Sequence, residues 1–125
     1  MEKENNRKTG SAGEAAVVDF LQKNGFQIIM CNFRFGRMGE IDIIAREKEF
    51  ICFIEVKSRS SLLFGYPSEA VGWKKRENIK RLAQIFIKRH KLEDSNIRFD
   101  IAEVIYQKKS NEFLLKELNL IRNAF

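Results

Sequence analysis

Proline, histidine and tryptophan each occur once in these 125 residues, and cysteine occurs twice. So little proline leaves no Pro-rich linker, and neither an internal repeat nor a low-complexity tract divides the chain. Cys31, Cys52 and His90 are the only soft or borderline metal ligands, and no CxxC pair holds them at zinc spacing, which argues against a zinc site. Both cysteines fall in strand-like segments without secretory context, so they read as buried free thiols and not as a disulfide. The longest apolar runs, such as Phe50 to Ile54, are far shorter than the ~20 residues that cross a bilayer. The segment Met1 to Lys8 is charged with no apolar stretch behind it. The expectation is a cytoplasmic protein with no membrane partner.

What the chain does have is 44% hydrophobic residues, enough for one core, and a length that predicts a single domain over 1–125. Lysine and arginine number 23 against 17 acidic residues, a net charge of +6 that favours a polyanionic partner, nucleic acid first.

The first ten residues are charged and expected to be mobile. Ser11 to Asn24 then carries Ala12, Ala16 and Phe20 on one helical row and Val17 and Leu21 on the next, with Gly25 where a left-handed C-terminal cap belongs. Gln27 to Phe35 and Glu40 to Arg46 are strand-like and flank Gly36-Arg37-Met38-Gly39, which predicts a hairpin. Glu47-Lys48-Glu49 leads into a third strand, Phe50 to Lys57. Ser58 to Pro67 reads as a flap-like loop, and Ser68 as the cap of a short helical turn. A longer helix covers Lys74 to His90, with Ile79, Leu82, Ala83 and Phe86 on its apolar face. Ile97 to Tyr106 is a fourth strand, and Phe113 to Leu118 a weaker fifth beyond the turn at Lys108 to Asn111. The order α-β-β-β-α-β predicts an α/β fold, a mixed central sheet flanked by helices.

The second helix also concentrates charge. Lys74, Lys75, Arg76, Lys80, Arg81, Lys88, Arg89 and Lys91 oppose Glu77 alone, so this segment more than accounts for the net charge of the chain. A ridge of this kind can meet successive phosphates. Its plainer reading is a solvated helix face. Trp73 beside it, and Phe64 and Tyr66 in the loop, could stack on unpaired bases, although core packing is the expected fate of Trp73.

The most informative segment is Ile54-Glu55-Val56-Lys57-Ser58-Arg59. Side chains alternate along a strand, so Glu55 and Lys57 share a face with Ile51 and Phe53, where a charged pair needs a reason. One reason is an ion pair at the sheet edge. The other is a hard-cation site. Asp42 lies in the apolar strand Ile41-Asp42-Ile43-Ile44, and hairpin pairing brings it toward Glu55. Two close carboxylates raise each other's pKa unless a cation such as Mg2+ relieves them. Ser11-Ala12-Gly13-Glu14 matches a helix capping box, which explains Glu14 without chemistry; Glu40 shares strand parity with Asp42 and could be a spare ligand or a solvent-facing turn residue, of which the latter is favoured.

Asp42 followed by Glu55-Val56-Lys57 resembles the core of the restriction-endonuclease-like (PD-(D/E)xK) nuclease superfamily. The wider set resembles the YraN-like family of small bacterial proteins. It comprises Gly13-Glu14, Asn32 with Arg34, Gly39 to Asp42, Phe53 to Lys57 with Arg59, Lys74, and Arg98 to Asp100, in order from about Gly10 to Val104. The residue before Asp42 is Ile41, where the similar Holliday-junction resolvases commonly have proline, and residues 107–125 carry no family motif. The resemblance implies an αβββαβ core and a Mg2+- or Mn2+-dependent endonuclease acting on DNA, branched or flapped structures included. It implies Asp42, Glu55 and the Val56 carbonyl as metal ligands, Lys57 as the catalytic lysine and Glu14 as a helix-borne acid. Arg34, Arg59, Lys74, Lys75, Arg76, Lys80 and Arg81 would contact nucleic acid. Resolvases of this fold act as dimers, so a homodimer is implied, with Phe113 to Phe125 the first place to look for its surface. The alternative is a non-catalytic nucleic-acid-binding protein on the same fold, and a third reading is an RNA-associated or ribosome-associated basic protein.

Overall fold

A computed structural model describes the backbone of residues 2–60 and 71–125, and the side chains of 11–60 and 71–125. The elements run α1 (Glu2–Lys23), β1 (Gln27–Arg34), β2 (Glu40–Glu47), β3 (Phe50–Arg59), α2 (Trp73–Arg89), β4 (Asn96–Lys109) and β5 (Glu112–Ile121). One five-stranded sheet has the order β1-β2-β3-β4-β5. β3 and β4 are parallel, because α2 carries the chain across between them, and the other pairs are antiparallel. This is the αβββαβ arrangement with one added strand.

Alternation along β3 divides the core into two layers. Ile51 and Phe53 meet Ile79, Leu82, Ala83 and Phe86 of α2, where Phe86 stands edge-on to Phe33 and Phe53 at 5.4 and 6.0 Å. Cys52 and Ile54 meet Val17 and Leu21 of α1 together with Ala102 and Val104 of β4. Both helices are therefore fixed over β3, with α1 on one face and α2 on the other. Among the described residues no helix is long and apolar enough to cross a membrane.

Several expectations change in detail. α1 begins at Glu2, nine residues before Ser11, so Ser11 lies inside the helix and the capping-box account of Glu14 fails. Val17 and Leu21 are fully buried, whereas the row Ala12, Ala16, Phe20 is only half-buried. Gly25 follows α1 at φ 87°, as expected of a left-handed cap. Ser58 and Arg59 belong to β3 and not to a loop. Residues 61–67 of the supposed flap, with Phe64 and Tyr66, and the Ser68 cap lie outside the described residues. β5 spans ten residues, entered through Ser110 and Asn111, both at positive φ as a two-residue hairpin turn requires. Cys52 is buried, but Cys31 is exposed because β1 is an edge strand with one side open to solvent. Trp73 is 74% exposed, since it is the first residue of α2 and precedes the turn that reaches the core.

Candidate active site

The register of β2 on β3 pairs Ile43 with Ile54, so the next residues outward, Asp42 and Glu55, face each other where β2 begins and β3 nears its end. Both are buried, Glu55 to 3% exposure and Asp42 to 7%. The Val56 N–H donates to Asp42 Oδ2 at 2.8 Å, which holds the Asp42 carboxylate against the β3 backbone. Burial first, and the adjacent Glu55 carboxylate second, push the Asp42 carboxyl up to about 8. Glu55 Oε1 accepts an ion pair from Lys75 Nζ at 3.1 Å. Its other oxygen, Oε2, is buried with no N–H donor among the described residues, and the proton held on the raised Asp42 carboxyl is the one available to it.

Two further acids close on Asp42. α1 packs tightly on β3 at Gly13, where a Cβ would collide with Ser58 Oγ, and this approach carries the next residue, Glu14, to the sheet. One carboxylate oxygen from each of Glu14, Glu40 and Asp42 lies within 4.8 Å of the others. Asn32 Nδ2 donates to Glu14 Oε2 at 3.3 Å from a residue at φ 55°, a left-handed conformation that asparagine tolerates better than most side chains. Burial, with Asp42 and Glu40 adding repulsion, raises the Glu14 carboxyl above its ordinary value. Glu40 is consequently not the solvent-facing turn residue expected: it is half-buried, joins the cluster and accepts from Arg34 Nε at 3.1 Å.

Lys57 lies two residues beyond Glu55 on the same face of β3, half-buried. Burial and the neighbouring Lys75 ammonium lower its pKa. Lys75 is held above its ordinary value, because Glu55 beside it outweighs the burial that opposes its charge. Four carboxyl groups and two lysines thus share the site. A cleft of about 560 Å³ opens over it between the β1–β2 turn and the start of α2, lined by Arg34, Arg37, Gly39, Glu40, Asp42, Lys74, Lys75 and Asn78 among others.

The other expected phosphate contacts are dispersed. Arg76 Nε donates to the Val71 carbonyl at 2.8 Å, and its guanidinium sits over the Phe125 ring. Lys80 is 3.9 Å from Glu77, Arg81 is exposed on α2, and Arg59 ends β3 half-buried. Lys75 turns into the acidic cluster and is not part of a uniform ridge. Arg98 and Asp100 of the matched set lie away from the cluster: Arg98 bridges Asp100 and Glu47 at 2.7–2.9 Å, and Arg122 grips Glu47 from beyond β5. Sequence reasoning underrated Glu40 and left Asn32, Arg37, Asn78 and the inward role of Lys75 out of the site. The signal for Glu40 was its strand parity with Asp42, and for Asn32 its place in the matched set.

The fold and this acid-and-lysine cluster define a small mixed α/β domain with a polar centre at one end of its sheet. Residues 13–104 match the Uncharacterised protein family UPF0102, and the chain belongs to that family. It is 54% identical to a UPF0102 protein of Acetivibrio thermocellus over 98% of this chain and 95% of the relative. A UPF0102 protein of Caldicellulosiruptor saccharolyticus is 48% identical over 97% of this chain and 99% of its own, and one from Clostridioides difficile is 43% identical with the same coverage. The matched span coincides closely with the region carrying the YraN-like resemblance and stops before β5.

Proposed function

We propose that the chain is a divalent-metal-dependent endonuclease that hydrolyses phosphodiester bonds in DNA, branched and flapped forms included, on a restriction-endonuclease-like scaffold. The observation that carries this reading is the buried pair of carboxyl groups, Asp42 and Glu55, facing each other with no donor among the described residues for Glu55 Oε2 beyond the proton that Asp42 retains. A purely structural site would satisfy or replace such an atom, since a buried acceptor left without a donor costs about 1–3 kcal/mol. Oxygen donors in this number fit a hard cation such as Mg2+ or Mn2+. Asp42, Glu55 and the Val56 carbonyl would hold it, with Glu14 and Glu40 completing the shell directly or through water. When bound, it would polarise a phosphate and acidify a water.

The remaining work falls to the chain itself. Lys57, with its lowered pKa, is suited to orient the attacking water at Nζ and to stabilise the charge that develops on the phosphoryl oxygens. Arg34 and Lys74 on the cleft walls, with Arg37 beside them, would hold flanking phosphates, contacts that position the backbone without reading sequence. A protein that only bound nucleic acid would gain nothing from aiming acids at phosphates.

The test is cleavage of labelled four-way, flap, single-stranded and linear duplex DNA with Mg2+ or Mn2+, comparing wild type, Glu55→Ala and Lys57→Ala. Metal-dependent cutting that both substitutions abolish, with folding and DNA binding intact, is expected. Binding without cutting of any substrate would refute the enzyme in favour of a nucleic-acid-binding role.

A further inference from the structure

Lys75 sits apart from the other cations of α2. Its neighbour Lys74 is exposed and lines the cleft wall, whereas Lys75 places its ammonium 3.1 Å from Glu55 Oε1 while still lining the same cleft. The lysine side chain is 45% exposed and the glutamate 3%, so the mobile partner is the lysine. Only one of the two Glu55 oxygens is served in this way. An ammonium is a compact point charge on a flexible stem and can be exchanged for another cation without rebuilding the pocket.

We propose that Lys75 is a placeholder cation: it neutralises Glu55 when no metal is bound, and on metal binding it leaves Glu55 for a phosphate oxygen of the substrate in the cleft. This rests on the metal-binding reading above and assigns Lys75 a positioning role beyond it. The exchange couples the two ligands. Metal entry liberates a cation for the phosphate, and a phosphate in the cleft draws Lys75 away from the carboxylate, so each ligand favours the other.

The experiment titrates Mn2+ calorimetrically into the full chain without nucleic acid, for wild type, Lys75→Met, Lys75→Gln and the matched charge control Lys74→Met. Thermal melts confirm that each variant is folded. Removal of a competitor tightens Mn2+ binding about tenfold in both Lys75 variants, a magnitude typical of one close charge pair, and by less than twofold in the control. In a second arm, a labelled single-stranded oligonucleotide is bound with Ca2+ and then with EDTA. Ca2+ strengthens wild-type binding several-fold, and the Lys75 variants lose that gain. Mn2+ affinity that is unchanged or weaker in the Lys75 variants overturns the placeholder while leaving the metal site standing. Absence of Mn2+ binding in wild type and variants alike overturns the metal reading and the placeholder with it.

Discussion

Replacing Asp42 with asparagine separates a carboxylate kept for a ligand from one kept for the fold. Asp42 is 7% exposed, and burial and Glu55 together raise its carboxyl from 3.8 to about 8. The folded chain therefore retains a proton there that the unfolded chain has released. Stability declines as pH rises from about 4 and levels off above about 8. Each tenfold change in acidity is about 1.4 kcal/mol, so at pH 7 the metal-free protein forgoes about 4 kcal/mol relative to a carboxyl left at its ordinary value. Asparagine keeps the acceptor for the Val56 N–H, and its amide N–H can donate to Glu55 Oε2 in place of the proton that Asp42 gives up at high pH. With some relaxation of the site, Asp42→Asn gains about 1–4 kcal/mol in EDTA at pH 8, roughly 4–15 °C for a chain of this size. Saturating Mn2+ raises the melting temperature of wild type and leaves the variant where it was. Thermal denaturation by circular dichroism, with EDTA and with Mn2+, reads both effects. A variant that melts below wild type in EDTA would refute the reasoning, because Asp42 would then be a net contributor to the fold.

Glu47 behaves in the opposite sense: hydrogen bonds from Arg122 and Arg98 hold its carboxyl down at about 2, below the ordinary 4.5. Its contribution, about 1–2 kcal/mol, is present above pH 4.5 and lost as pH falls toward 2, so the gap between wild type and Glu47→Gln in urea denaturation is full at pH 6 and closes in acid. Gly13→Val forces α1 away from Ser58 and withdraws Glu14, and calorimetric Mn2+ affinity drops about tenfold or more while α2 is undisturbed. Trp73 is the single tryptophan and is exposed at the mouth of the basic segment, so its fluorescence is quenched by a single-stranded oligonucleotide. Trp73→Ala lowers that affinity about fivefold or more, and an unchanged dissociation constant by anisotropy would remove stacking from the account.

The sheet was legible because its signals are local. β-branched runs, the Gly36 to Gly39 turn and the Ser110-Asn111 turn each state their own conformation, and the apolar spacing of α2 names four of its buried residues, with Ile87 added by the structure. The pair Asp42 and Glu55 was legible for the same reason, since an acid in an apolar strand is anomalous wherever the strand packs. What the sequence did not disclose depends on distance in three dimensions. Trp73 looked like core, yet it precedes the first buried turn of α2. Lys75 looked like one cation among several, and only the crossing of α2 over the end of β3 singles it out. Glu14 had a sufficient local explanation in the capping box, which fails once the helix extends beyond Ser11.

Placement of charge, more than its total, separates an enzyme from a basic binding module on this fold. A module that binds phosphates by attraction would spread its cations on an open face and bury no acids near them. Here Glu14, Glu40, Asp42 and Glu55 meet where β2 begins and β3 nears its end, and the cations nearest to them line the cleft above. Carboxylates in such numbers repel the polyanion that Arg34, Arg37 and Lys74 attract, unless a further positive charge stands between them. Lys57 and Lys75 supply two such charges, with Lys75 already engaged by Glu55 and Arg34 by Glu40. In the reading proposed above, a divalent cation held by these acids would stand between them and the phosphate and would supply the Lewis acidity for phosphodiester hydrolysis.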